Sequence, residues 1–294
     1  MRKTLLTLTA LFASFTAWSS HAGEISLQHK GLTVTANLET SGAGWQQKPV
    51  LLMTHGTLAH NRMEIMQTLQ TAFQDRGYSS LAINLSLGLS RRSGMYDCAV
   101  PHTHKHTDAL DEIGLWLDWL KQQGVQSVVL LGHSRGGNQT AWFAAERDDA
   151  LVRSVVLIAP ATWDQGYAAK DYQKRYKKAL APLLAQAEKG GKGMMKGIDF
   201  IYCENTSASA EAFVSYYRPD PRMDTPHLVP SIKKPVLVVA GSEDTVVTGL
   251  VEKMQPIADG ERVQLTVIDG ADHFFRDLYA DEVADGAVEF IEAH

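Results

Sequence analysis

The stretch VVLLGHSRGG places one serine, Ser134, between Gly132 and Gly136, after an apolar run and before a helical pattern. The run predicts a buried strand and residues 138–146 predict a helix, so Ser134 falls on the turn between them. Glycines allow such a sharp turn, which would hold the serine hydroxyl at the edge of a sheet, beside helix N–H groups. A hydroxyl in that place can act as a nucleophile if a base lies within reach.

Other apolar runs also end in residues suited to this chemistry. PVLLMTHGT ends in Thr57, LVVAGSED ends in Glu243 and Asp244, and TVIDGADHFF ends in His273. Sites in open α/β sheets lie at the carboxyl ends of the strands, so these residues are expected to meet Ser134 at one edge. A histidine there can take the serine proton, and a carboxylate can hold the imidazole in one tautomer.

Strands and helices that alternate along most of the chain would position these residues. Two short strands are predicted at Glu24–His29 and Leu32–Leu38, and the later strands are continuous apolar runs. Helices are predicted at about Asn61–Arg76, Asp108–Gln122, Thr248–Gln255 and Asp277–Ala293, and one after Ser134. Continuous apolar strands alternating with helices indicate an α/β fold with a mostly parallel central sheet and helices on both faces.

The alternation stops at Pro160 and resumes at Pro235. The break of about 70 residues is too long for an ordinary loop. We therefore predict a core of residues 23–160 and 235–294 and an inserted cap of residues 161–234, partly helical. The glycine-rich stretch KGGKGMMKG in the middle of the cap is predicted to be flexible.

The motifs together resemble the α/β-hydrolase superfamily over nearly all of the chain that follows the first 22 residues. G-x-S-x-G at residues 132–136 is weak evidence alone, but here it follows a strand ending in His55-Gly56 and precedes strand-GxxD and strand-x-D-H patterns. The resemblance implies a catalytic triad of Ser134, Asp244 and His273. It also assigns the oxyanion hole to the backbone N–H groups of Thr57 and Arg135, so the identity of the side chain at each of these positions is expected to be free.

The resemblance implies hydrolysis of a carboxylic ester of a small molecule through an acyl-Ser134 intermediate, with no cofactor and no metal. Thioester, amide and carbon–carbon bond hydrolysis use the same triad, and a non-catalytic binding protein on the same scaffold is a further alternative. For the triad acid, Glu243 and Asp164 are alternatives to Asp244. His55 is expected to brace the oxyanion loop and His133 to be packed.

The segment CAVPHTHKH carries His102, His104 and His106 at alternating positions. In an extended segment they would face one side and could ligate a metal, which would suit a metal-dependent hydrolase. Histidine-rich loops are usually solvated, so we expect a solvated loop near the site entrance and no metal.

The first 22 residues resemble a secretory signal peptide, with Arg2 and Lys3 before an apolar run and small residues at Ser20 and Ala22. The run of about 14 apolar residues is shorter than a bilayer span of about 20, so we predict cleavage, no stable membrane span and a periplasmic or secreted protein. Cleavage takes the net charge from −5 to −7, which disfavours nucleic-acid binding. In an oxidising compartment Cys98 and Cys203 are expected to form a disulfide.

The first part of the cap, residues 161–200, is basic, with a net charge of +4 on a chain that is negative overall. Tyr172, Tyr176, Leu180 and Leu183 recur at helical spacing, so one face of a helix can be buried. The basic residues around that face could simply keep the helix soluble. Alternatively they attract anionic substrates or an anionic surface, because a cleft lined by one sign of charge focuses its field.

Overall fold

The computed structural model describes residues 23–164 and 166–294, so the predicted signal peptide lies outside the described residues. The strands are β1 (Gly23–His29), β2 (Leu32–Glu39), β3 (Val50–Thr54), β4 (Ser79–Asn84), β5 (Val128–His133), β6 (Val152–Ile158), β7 (Met194–Phe200), β8 (Cys203–Ser209), β9 (Val236–Gly241) and β10 (Val263–Ile268). The helices are α1 (Glu64–Asp75), α2 (Asp108–Gln122), α3 (Arg135–Glu146), α4 (Tyr167–Tyr176), α5 (Leu180–Gly190), α6 (Ala210–Tyr217), α7 (Thr225–Leu228), α8 (Leu250–Met254) and α9 (Leu278–Ala293).

Eight of these strands form one sheet in the order β1-β2-β4-β3-β5-β6-β9-β10. The strands β1 and β2 form an antiparallel hairpin, and β2 pairs antiparallel with β4. All the other neighbours in the sheet are parallel. The predicted α/β fold with a mostly parallel sheet is therefore confirmed.

The central strands β3, β4 and β5 are buried along their whole length because helices cover both faces of the sheet. Successive residues of a strand point to opposite faces, so Leu51 and Leu52 belong to different core clusters. The cluster on one face includes Trp142 of α3, and the cluster on the other includes Phe290 of α9. The two cores hold the carboxyl ends of the strands at one edge.

Residues 161–234 contain the helices α4 to α7 and the separate β7–β8 hairpin. The expectation of a flexible KGGKGMMKG stretch is wrong, because its first two residues end α5 and its last four belong to β7. Met195 there is buried and pairs with Ala208 of β8. The basic helix is also two helices, since the backbone at Lys177 takes a left-handed conformation with φ 58° and separates α4 from α5.

A disulfide joins Cys98, in the loop between β4 and α2, to Cys203 in β8, with a Cα–Cα distance of 5.3 Å. The predicted disulfide is therefore present and ties the inserted residues to the loop that follows β4. Within residues 23–164 and 166–294, no helix is long and apolar enough to span a bilayer.

Candidate active site

Ser134 lies on a tight turn between β5 and α3, with φ 58° and ψ −124°. A positive φ is rare for a residue with a side chain, so the packing around the turn must maintain this strained conformation. Gly136 permits that packing, because a Cβ at this position would overlap the carbonyl oxygens of Thr54 and His55. The side chain of Ser134 is thereby held at the carboxyl end of β5.

The structure brings His273 and Asp244 to the same edge as Ser134. His273 follows β10, and its Nε2 lies 3.0 Å from Ser134 Oγ. Its Nδ1 lies 2.8 Å from Oδ2 of Asp244, which follows β9. With Nδ1–H donating to Asp244, Nε2 is left as the acceptor for the serine hydroxyl proton.

The carboxylate of Asp244 is held by backbone donors as well as by His273. Its Oδ1 accepts the N–H groups of Val246 at 2.7 Å and Val247 at 2.9 Å. Burial opposes the charged form, but these hydrogen bonds together with that from His273 hold the pKa of Asp244 below its ordinary value. Asp244 is therefore ionised at neutral pH.

The two alternative acids lie elsewhere. Glu243 is exposed, and the carboxylate of Asp164 accepts the N–H groups of Gly166 and Tyr167 in a local turn. Asp272, next to His273 in sequence, forms an ion pair with Arg276. None of these carboxylates is hydrogen bonded to His273 in the described residues.

The loop after β3 approaches the serine closely. A Cβ built on Gly56 would lie 3.1 Å from Ser134 Cβ, so the backbone of residues 56 and 57 borders the serine side chain. In the described part of the chain, the backbone N–H groups of Thr57 and Arg135 donate to no carbonyl oxygen. Two backbone donors are thus available beside Ser134.

Two buried histidines support these loops. His55 Nδ1 donates to the carbonyl of Gly56 at 3.0 Å, and its Nε2 accepts the backbone N–H of Leu85 at 3.1 Å. His133 Nε2 donates to the carbonyl of His273 at 2.9 Å. Burial lowers the pKa of both His55 and His133 to about 3, so both rings are neutral.

The side chains of Thr57 and Arg135 contact each other. Arg135 Nε donates to Thr57 Oγ1 at 3.0 Å, which links the loop after β3 to the start of α3. The guanidinium also lies over the ring of Tyr216, 5.2 Å from its centroid. These contacts come from residues far apart in sequence, so local patterns could not reveal them.

A cleft of about 800 Å³ opens beside the serine. Thr57, Ser134, Arg135 and His273 line the cleft. Further lining residues come from α4, the β7–β8 turn, α6 and the loop after β9. The charged lining residues from α4 are Lys170, Asp171, Lys174 and Arg175, and the aromatic lining residues include Tyr167, Tyr202, Tyr216, Tyr217 and Phe274. The sequence signal for these α4 residues is the basic stretch noted above.

The histidine-rich segment is not the solvated loop that we expected. His102, His104 and His106 are each at most 1% exposed. The segment is buried because the backbone of His102 pairs with β8 and its neighbours pack under α6: His104 Nδ1 lies 2.8 Å from the Tyr216 hydroxyl. The part of the chain that the structure describes contains no group of three or more His, Cys, Asp or Glu residues arranged to hold a metal ion.

Comparisons with known proteins agree with this architecture. The model of the alpha/beta hydrolase family matches residues 50–286. No curated protein sequence matches the chain. The structure of Est1E from Butyrivibrio proteoclasticus with bound ferulic acid is similar, with a TM-score of 0.66, 18% identity and coverage of 91% of this chain and 99% of that one.

Two further solved structures have the same fold. An esterase from Pyrococcus furiosus has a TM-score of 0.62 and 17% identity, with coverage of 92% of this chain and 91% of that one. E-2-(acetamidomethylene)succinate hydrolase has a TM-score of 0.59 and 20% identity, with coverage of 92% of this chain and 100% of that one. Since the family model spans well over half of the sequence, the chain belongs to the alpha/beta hydrolase family.

Proposed function

We propose that the protein is a serine hydrolase that cleaves carboxylic esters through an acyl-Ser134 intermediate. The observation that carries the proposal is the continuous hydrogen-bonded path from Ser134 Oγ to His273 Nε2 at 3.0 Å and from His273 Nδ1 to Asp244 at 2.8 Å. This path ends at a strained serine beside an 800 Å³ cleft. Both distances are suited to proton transfer without rearrangement.

In the first half of the reaction, His273 removes the hydroxyl proton of Ser134 as the oxygen attacks the ester carbonyl carbon. The ionised carboxylate of Asp244 stabilises the imidazolium that forms. The tetrahedral intermediate then collapses, the alcohol leaves with the proton from His273, and the acyl group stays on Ser134. In the second half, His273 deprotonates a water molecule as it attacks the acyl carbon, and the resulting tetrahedral intermediate collapses to release the acid while His273 returns the proton to Ser134 Oγ.

The negative charge on the carbonyl oxygen of each tetrahedral intermediate needs fixed donors. The backbone N–H groups of Thr57 and Arg135 are the candidates, because both border Ser134 and neither is used by a backbone carbonyl in residues 23–164 and 166–294. The hydrogen bond between the side chains of these two residues would keep both donors in place. Loss of one such donor typically costs about 10²-fold or more in turnover.

Ester hydrolysis is preferred because solved structures with the same fold include enzymes described as esterases. Thioester, amide and carbon–carbon bond hydrolysis with the same residues are its alternatives. The residues 161–234 form the proposed cap, which supplies the α4 wall of the cleft. The composition of the first 22 residues and the disulfide support export to an oxidising compartment, either the periplasm or the exterior.

The proposal is tested by measuring hydrolysis of 4-nitrophenyl butyrate by the wild-type protein and by Ser134→Ala. Hydrolysis by the wild type should fall to background in this variant and persist in the presence of a chelator. The matched control is Ser154→Ala, which removes the hydroxyl of a fully buried serine in β6 and should keep its activity. Activity that survives Ser134→Ala, or that the chelator abolishes, would overturn the proposal.

A further inference from the structure

The guanidinium of Arg135 places a positive charge at the cleft. Arg135 is partly buried and lines the cleft next to Ser134. Its Nε is used by Thr57, and one terminal nitrogen lies 3.4 Å from His106 Nδ1. Among residues 23–164 and 166–294, no carboxylate lies within ion-pair distance of it.

His106 fixes this cation without neutralising it. The ring is buried, and burial lowers the pKa of His106 to about 3, so the imidazole is neutral. Its Nε2 donates to Asn138 Oδ1 at 2.9 Å, which leaves Nδ1 as an acceptor facing Arg135. A partly buried positive charge without a counter-ion destabilises the folded protein. An anion that is not part of the chain is therefore expected to bind beside Arg135.

The α4 side of the same cleft is also positive. Lys170, Lys174 and Arg175 line it, and the one acid that lines this side, Asp171, lies 3.3 Å from Arg175. Lys170 and Lys174 have no carboxylate within ion-pair distance in the described residues. Lys178, which follows α4 in the same basic stretch, points elsewhere and pairs with Asp199 at 2.6 Å.

Part of the rim of the cleft is apolar. Large side chains that are unusually exposed meet there: Met95 is 56%, Tyr202 is 49% and Val246 is 42% exposed, and all three line the cleft. Exposed apolar groups gathered around a cleft mark a surface that a ligand covers. A ligand that satisfies both the rim and the walls has an apolar part and a negative charge.

From these observations we infer that the substrate carries a carboxylate, which binds at a cationic wall made of Arg135, Lys170 and Lys174, and an apolar portion that covers the rim. This inference rests on the proposed ester hydrolysis and names its substrate class. A singly charged carboxylate fits better than a doubly charged phosphate monoester, because Asp171 lies among the same cations and repels additional negative charge.

The test compares kcat/KM for 4-nitrophenyl hydrogen adipate, which carries a carboxylate, with that for its neutral methyl ester. The wild type should prefer the charged ester, and the preference should shrink as salt is raised. Lys170→Met with Lys174→Met should reduce the preference by about tenfold, and Arg135→Met should reduce it by at least as much. The control is Lys189→Met with Lys192→Met, which removes the same charge from exposed positions outside the cleft and should leave the preference unchanged.

Hydrolysis of both esters with equal kcat/KM would overturn the inference and leave the proposed hydrolase function standing. If neither ester is hydrolysed, the proposed function fails, and calorimetric binding of monomethyl adipate decides the inference separately. Binding that exceeds that of dimethyl adipate, and that Lys170→Met with Lys174→Met weakens, would support the cationic wall. Equal binding of monomethyl adipate and dimethyl adipate, or equal losses in the control variant, would refute it.

Discussion

At the scale of single residues, two neighbouring acids provide the sharpest contrast in the site. Asp244 contacts His273 and two backbone N–H groups, whereas the side chain of Glu243 is exposed. Asp244→Asn should lower kcat for a neutral ester by about 10⁴-fold, because an amide favours the wrong imidazole tautomer. Glu243→Gln should change kcat by less than about twofold. A larger loss in Glu243→Gln than in Asp244→Asn would show that the acid is misassigned.

The motifs at the strand ends, together with the resemblance to the α/β-hydrolase superfamily, predicted which side chains the structure brings to Ser134. The order serine, acid, histidine after three of the strands is a local pattern, since each residue lies within a few residues of the end of its own apolar run. The contacts of the Arg135 side chain could not be predicted, because Thr57 and Tyr216 lie in distant parts of the sequence. Contacts of this kind arise only when the fold is complete.

At the scale of elements, the turn between β5 and α3 depends on close packing at Gly136. Gly136→Ala should lower the free energy of unfolding by about 3 kcal/mol or more, because the added methyl group overlaps the backbone of Thr54 and His55. Urea unfolding measures this difference.

The matched control for that substitution is Gly286→Ala in α9, where a Cβ would meet nothing within 4 Å. Alanine suits the interior of a helix better than glycine, so this variant should gain about 0.5 to 1 kcal/mol. Equal effects of the two substitutions would contradict the tight packing of the turn.

The histidine-rich segment makes the stability of the protein depend on pH. Burial lowers the pKa of His102 to about 4, and that of His104 and His106 to about 3. At a pH below the ordinary histidine pKa of about 6.5, these rings therefore bind protons when the protein unfolds. Their contribution is complete above pH 6.5 and is lost as the pH falls towards 3, at about 1.4 kcal/mol per pH unit for each ring. Glu112 acts in the opposite direction, since burial raises its pKa to about 7.

We therefore expect the urea concentration at the unfolding midpoint to decrease as the pH is lowered from about 6.5 to about 5. His102→Phe is the informative variant, because the His102 ring already stacks on Tyr96 and its Nε2 has no hydrogen-bond partner in the described structure. This variant should show a slope shallower by about 1.4 kcal/mol per pH unit. An unchanged slope would mean that His102 is protonated in the folded protein.

Sequence periodicity predicted some elements well and others poorly, for physical reasons. The helix Asp108–Gln122 has the predicted bounds because one apolar face and polar flanks define it locally. The β7–β8 hairpin was not predicted because Gly197 breaks the alternation of its first strand, which is held by pairing with β8 instead. The break at Lys177 was missed because the apolar spacing continues across it.

At the scale of the whole molecule, the disulfide connects the inserted residues to the core. Cys98 and Cys203 close a loop of 105 residues, and the rim residues Met95 and Tyr202 lie close to them in sequence. Reduction should cost about 4 to 5 kcal/mol in the chain-entropy model and lower the melting temperature. Cys98→Ser with Cys203→Ser should melt at the same lower temperature with and without reductant. A wild-type protein that melts identically in both conditions would refute this role.

The family model and the similar structures establish the alpha/beta hydrolase fold of the chain. Beyond the fold, we propose that Ser134 is a nucleophile activated by His273. A fluorophosphonate reacts only with an activated serine and forms a stable adduct, so it tests this claim without knowledge of the natural substrate.

The decisive measurement is therefore mass spectrometry of the protein after treatment with a fluorophosphonate, in the wild type, in Ser134→Ala and in His273→Gln. We predict one adduct on Ser134 in the wild type, none in Ser134→Ala, and a rate of labelling lowered by at least about 10³-fold in His273→Gln. Labelling of another serine, or labelling of Ser134 at the same rate in His273→Gln, would contradict the account.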